Sequence, residues 1–127
     1  MDVCIIGGGA AGLMAAAPVL EQNPAASLTL VERNDGLGKK VIISGGGRCN
    51  VTTGIQDVNV VLTRYPRGAK FLSSAVHRFP PAAVVAWFES HGVPLKTQTD
   101  LRVFPQSDNG HDVVEVFARL FQASNVA

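Results

Sequence analysis

Two cysteines, one tryptophan and one tyrosine are all that this 127-residue chain offers of the residues that mark a disulfide scaffold or an aromatic stacking platform. Cys4 and Cys49 lie far apart, and neither has a second Cys or a His at ligand spacing. A zinc site is therefore unsupported, and reduced thiols in the cytoplasm fit better than a disulfide. His77, His91 and His111 likewise lack metal spacing, so no metal is expected. Charged residues are only 17% of the chain and the net charge is +1, which argues against a general nucleic-acid surface. No apolar run approaches the ~20 residues of a membrane helix, and the N-terminus lacks a basic stretch leading into a secretory apolar region. The expectation is a cytoplasmic protein with a small-molecule substrate, no nucleic acid, no membrane and an oligomeric state left open.

Apolar residues make up 46% of the chain, which excludes disorder. A chain of this length buries roughly two-thirds of its unfolded surface, enough for one core. Glycine is the informative residue: ten of the 13 fall in the first 54 positions, and whatever the chain binds is expected there.

Residues 3–6 form a continuous apolar run ending at glycines, as a strand buried on both faces would, with Cys4 as a small core residue. Residues 10–22 are helix-like and alanine-rich, although Pro18 falls inside and predicts a kink or a fresh turn. Residues 27–32 read as a second strand, closed by the turn-forming Asn34-Asp35-Gly36. Strand, glycine turn, helix and strand within 32 residues make a βαβ unit, whose right-handed crossover sets the strands parallel. Residues 39–43 are a short apolar segment leading into a loop of three glycines. Farther on, residues 71–79 and 84–88 carry apolar positions at helical spacing, and Gly92 is a helix stop. Residues 101–104 read as a strand, and Ser107-Asp108-Asn109 supplies caps for a helix bearing Val113, Val116, Phe117, Leu120 and Phe121. Arg64, Arg67, Lys70 and Arg78 form a basic stretch without acids that reads as a solvated helix face. Trp87 reads as core.

Gly7-Gly8-Gly9-Ala10-Ala11-Gly12 fits G-x-G-x-x-G between a strand and a helix, and Glu32 stands 20 residues beyond Gly12 at the end of the next strand. Gly7 allows the tight turn, and Gly9 lets backbone approach a pyrophosphate. Gly12, with Ala16, lets the helix lie against the strands. The first-turn N–H groups of that helix, at Ala10 and Ala11, sit at its positive end and suit phosphates. Glu32 suits the hydroxyls of an adenosine ribose and repels a 2′-phosphate, favouring FAD or NAD over NADP. Arg33 and Lys40 join the cofactor-binding candidates. In the second loop, Ser44, Gly45, Gly46, Gly47, Arg48, Cys49 and Asn50 combine close backbone approach with a cation, a thiol and an amide. Both glycine loops are expected to face one ligand. No catalytic acid or base is visible, and a redox role for Cys49 lacks a partner thiol.

Residues 2–12 resemble the FAD-binding start of flavoproteins with two dinucleotide-binding domains. Residues 38–52, with Ser44-Gly45-Gly46-Gly47-Arg48-Cys49-Asn50 at their centre, resemble the signature of the BaiN-like family of bacterial NAD(P)/FAD-dependent oxidoreductases. Arg67-Gly68-Ala69-Lys70-Phe71-Leu72, Trp87-Phe88-Glu89-Ser90-His91-Gly92-Val93-Pro94-Leu95 and Arg102-Val103-Phe104-Pro105-Gln106-Ser107 carry the likeness onward. Thr53 departs from it, since an asparagine is usual there. The resemblance implies an α/β fold: the N-terminal part of a Rossmann-like FAD/NAD(P)-binding domain with a parallel βαβ start, then a mainly helical insertion, as an incomplete domain. Residues 1–54 would be the FAD-binding βαβ unit and second loop, and residues 55–127 a helical insertion with a short strand in the same domain. The rest of the parent protein would lie beyond Ala127. FAD would be held with its adenosine at Glu32 and its flavin half along residues 44–50, with NAD(P)H as co-substrate. The expected activity is hydride transfer between a nicotinamide cofactor and a small organic substrate through flavin. The alternatives are a truncated, non-catalytic fragment and a simple NAD-binding Rossmann module.

Overall fold

β1 (Asp2–Ile6) and β2 (Ser27–Val31) are parallel neighbours, with Val3 opposite Leu28 and Ile5 opposite Leu30. The structure is a computed structural model and describes residues 1–124 and Val126. The crossover between the two strands is α1 (Ala10–Gln22), which begins directly after the glycine turn. Leu13, Ala16, Ala17 and Leu20 are all buried, and the two alanines let the helix lie near the sheet. Ala16 and Leu20 pack with Leu28 of β2, joined by Val3, Ile5, Leu30 and Phe121. The helix continues through Pro18 as one element, so neither a break nor a second start is needed there.

The chain divides into two units, residues 1–49 with 109–127, and residues 50–108. The first contains β1, α1, β2, α2 (Lys39–Gly47) and α6 (Gly110–Gln122). α6 behaves as its pattern predicts: the Asn109 side chain caps it by accepting from the His111 N–H at 3.0 Å, and Val113, Val116 and Phe117 are buried. Beyond it, Val126 forms an isolated parallel bridge with Leu28.

The second unit has a three-stranded antiparallel sheet in the order β3 (Thr52–Thr53), β5 (Arg102–Pro105), β4 (Leu95–Thr97). Three helices accompany it: α3 (Val58–Thr63), α4 (Ala69–Arg78) and α5 (Pro81–Ser90). Its buried residues include Phe88, Val93, Leu95, Val103 and Phe104. α5 stops at Gly92, whose φ of +84° is the left-handed conformation that ends a helix cheaply.

The first strand corrects one expectation. Cys4 is exposed, and Ile6 at the strand end keeps 86% of its surface. α1 covers one face, where Val3 and Ile5 turn inward, and the pleat sends Cys4 and Ile6 to the other. The strand is thus half-buried, and its continuous apolar run reflects residue types rather than two covered faces. Among the described residues no helix is long and apolar enough to cross a membrane.

Candidate functional site

The glycine turn is held by three short backbone hydrogen bonds. Gly7 N–H donates to the Val31 carbonyl at 2.7 Å, Leu13 N–H to Gly9 at 2.9 Å, and Gly38 N–H to the Gly8 carbonyl at 2.8 Å. The first joins the turn to the end of β2, the second closes the first turn of α1, and the third fastens the start of α2 to the turn. Gly7 has φ +104°, which a side chain would strain. At Gly12 an added Cβ would lie 1.8 Å from the Gly7 carbonyl oxygen, so helix and turn touch through backbone alone.

A cavity of about 390 Å³ opens in front of this turn. Gly7, Gly9, Glu32, Arg33 and Lys40 line it, together with Asn34. The residues present suit a dinucleotide. A Cβ at Gly7 or Gly9 would meet nothing within 4 Å, so the backbone faces open space there. The N–H groups of residues 10–12 have no acceptor inside the helix and stand at its positive end. Arg33 and Lys40 add cations with no ion pair among the described residues, while Lys39 is paired with Asp35.

Glu32 is positioned from both sides. Its Oε2 accepts from Gly8 N–H at 2.7 Å, and its Oε1 accepts from Asn34 N–H at 2.9 Å and from Asn34 Nδ2 at 2.5 Å. The Arg33 N–H also bears on this carboxylate, so its roughly four acceptor sites are largely occupied. The Asn34 and Gly8 N–H groups hold its pKa below the ordinary glutamate value, in that order of importance. Glu32 therefore presents a fixed anion to the cavity.

Sequence reasoning passed over Gly8, Asn34 and Gly38. Gly8 occupies a free position of the motif, yet a Cβ there would meet Leu37 at 2.6 Å and Glu32 Oε2 at 3.3 Å. Gly38 has φ +61°, and a Cβ would meet Val114 at 2.5 Å. Asn34 was legible only as a turn residue; its place two positions after the acid was the available signal.

The second glycine loop lies within the first unit as far as Cys49, and it is a folded turn. Residues 39–43 are helical, a turn of helix where only an apolar segment was expected. Ser44 then leaves the helix with ψ 154°, and Gly45 and Gly46 are both left-handed. Ser44 carbonyl accepts from Cys49 N–H at 2.9 Å, Ser44 Oγ donates to Val41 carbonyl at 2.8 Å, and Arg48 Nε donates to Gly45 carbonyl at 3.3 Å. A Cβ at Gly46 or Gly47 would meet open space. None of Ser44, Gly45, Gly46, Gly47, Arg48 or Cys49 is in the lining of the Glu32 cavity. Cys49 is buried and has φ +58°. Burial pushes its thiol pKa up, with a smaller opposing effect from the Ser44 hydroxyl, which disfavours the reactive thiolate. Asn50 belongs to the second unit, where its Oδ1 accepts from Val103 N–H at 3.2 Å and fastens the segment before β3 to β5.

Comparison with known proteins agrees with this local geometry. A family model described as the HI0933-like protein Rossmann domain matches residues 1–127. The chain is similar to a 3-dehydro-bile acid delta(4,6)-reductase of Clostridium scindens, 30% identical over 112 residues, covering 88% of this chain and 26% of that protein. It is also similar to a ribosomal RNA dihydrouridine synthase of Escherichia coli, 29% identical over 125 residues, covering 98% of this chain and 30% of that protein. The chain therefore spans between a quarter and a third of the length of these relatives.

Proposed function

Because the chain belongs to the HI0933-like protein Rossmann domain family, we propose that it is the FAD-binding segment of an oxidoreductase that passes a hydride between NAD(P)H and a small organic substrate. The observation that carries this reading is the Glu32 carboxylate, pinned through both oxygens beside the glycine turn. An acid at the end of the second strand stands where dinucleotide folds meet the adenosine ribose. Gly7, Gly9 and the first turn of α1 would receive the pyrophosphate, with Arg33 and Lys40 offsetting its charge. The loop from Ser44 to Arg48 would lie along the flavin half, its glycines leaving room for close backbone approach. Bound flavin supplies the hydride chemistry, while these residues supply orientation and charge. The names of the two relatives, a reductase and a dihydrouridine synthase, support redox chemistry on an unsaturated bond.

The test is an equilibrium titration of the purified protein with FAD, followed by flavin fluorescence. Wild-type protein should bind saturably, and Glu32→Arg should bind at least about tenfold more weakly, as expected when a charged hydrogen-bond acceptor is lost. Equal affinity of the two proteins for FAD would remove the ribose assignment. Saturable binding of NAD with none of FAD would make the chain a nicotinamide module instead.

A further inference from the structure

A second cavity, of about 410 Å³, lies wholly inside the second unit. Its apolar walls come from Val61 of α3, Val76 of α4, Phe79 directly after α4, and Val84 of α5. Arg64 and Tyr65, which follow α3, also line it. Neither the Arg64 guanidinium nor the Tyr65 hydroxyl has a hydrogen bond or ion pair among the described residues. Such a cavity is unlike a core gap: Tyr65 keeps 43% and Phe79 38% of its surface.

The charge around it has one sign. No carboxylate lines the cavity, and no Asp or Glu occurs between Asp57 and Glu89, a stretch that holds Arg64, Arg67, Lys70 and Arg78. α5 starts at Pro81 in the cavity wall and adds the positive end of its dipole. An apolar cleft of a few hundred Å³ with a small number of convergent polar donors is the usual form of a small-molecule site.

The geometry points to a binding site for a small organic acid, with its apolar ring or chain among the valines and Phe79. Its carboxylate would lie on Arg64, with the Tyr65 hydroxyl as second donor. A planar guanidinium fork matches a carboxylate's two oxygens. Asn50, Thr52 and Thr53 also line the cavity, so a single cation stands among neutral polar groups, which suits a monoanion better than a phosphate dianion. The inference rests on the proposed oxidoreductase only in naming this acid as substrate, since the binding itself needs no flavin.

The experiment is calorimetric titration of the protein with dodecanoate, 4-phenylbutyrate and cholate. Uridine monophosphate and 4-phenylbutanamide serve as controls, and FAD is titrated in parallel. At least one carboxylate should bind saturably, and more tightly than either control. Arg64→Gln should weaken that acid by at least about tenfold, the loss expected for a charge-assisted hydrogen-bonded pair, without changing binding of the amide. Arg64→Lys should recover part of the loss, and the thermal midpoint of Arg64→Gln should match wild type because the side chain is exposed. No saturable carboxylate binding, an unchanged affinity in Arg64→Gln, or a preference for uridine monophosphate would each overturn the proposal. Normal FAD binding with no acid binding overturns this site alone. Acid binding without FAD binding overturns the flavin reading alone.

Discussion

Replacing Gly12 by alanine should destabilise the protein even with no cofactor present. The added Cβ falls 1.8 Å from the Gly7 carbonyl oxygen. Carbon–oxygen contacts settle at about 3.3 Å or more, so roughly 1.5 Å of separation has to be opened between the helix and the turn. Neither side yields easily. Gly7 is held to Val31, and the first turn of α1 is closed by the Leu13–Gly9 bond. Overpacking of this kind costs about 3 kcal/mol at the upper end of the usual range, and a strained or lost backbone hydrogen bond adds about 1 kcal/mol. The higher helix propensity of alanine returns about 1 kcal/mol, leaving a net loss of about 3 kcal/mol. For a chain of this size that lowers the thermal midpoint by roughly 10 °C. Gly9→Ala is the matched control, because its Cβ meets nothing within 4 Å and its backbone is extended. It should unfold within about 1 kcal/mol of wild type yet lose FAD affinity by blocking the approach of the phosphates. Circular dichroism melts without cofactor measure the first effect and FAD titration the second. Coincident melts for Gly12→Ala and wild type would refute the backbone contact between helix and turn.

The pH response of the same site follows from Glu32. Its folded-state pKa lies below its unfolded value, so its stabilising contribution is complete above the unfolded pKa and disappears as pH falls through the lowered folded one. Melts of wild type and Glu32→Gln between neutral pH and pH ~3 should therefore converge on the acid side of the ordinary carboxylate range; a constant difference across that window would contradict the carboxylate's tie to Gly8 and Asn34. Gly38→Ala combines a left-handed φ of +61° with a Cβ 2.5 Å from Val114. A loss of about 2 kcal/mol in chemical denaturation is expected from strain and crowding together. In the Val114→Ala background the additional loss should shrink toward the ~1 kcal/mol of backbone strain alone, and strict additivity would argue against the contact.

The sequence was most readable where one residue type has one physical use. The positions of Gly7, Gly12 and Glu32 placed turn, helix and strand end in the order observed, and the Asn109 cap with the Val113–Val116–Phe117 stripe located α6. Readability failed where a residue's role depends on distant neighbours. Cys4 looked like core because its apolar run says nothing about which face of the sheet is covered. Asn34 looked like turn filler because only folding shows that Glu32 bends back to meet it. α3 was missed because Val58-Asn59-Val60-Val61 is rich in β-branched residues of low helix propensity. The signal that existed was Asp57, whose side chain accepts from Asn59 N–H at 2.8 Å. β3 and β4, of two and three residues, are too short for any alternation to register.

The parallel bridge between Leu28 and Val126 has a consequence for the first sheet. Leu28 already meets Val3 on its other side, so the chain returns from α6 along the outer edge of β2, giving the spatial order Val126, β2, β1. β2 and the single bridging residue Val126 lie on the same flank of β1, and the opposite edge of β1 stays free among the described residues. Any later parallel strand joining that edge reverses the winding at β1. In wound α/β sheets the crevice for ligands forms beyond the carboxyl ends of the strands where the winding reverses. Gly7 stands immediately after the carboxyl end of β1. A strand added there would mark the site by the topology of the sheet as well as by its glycines.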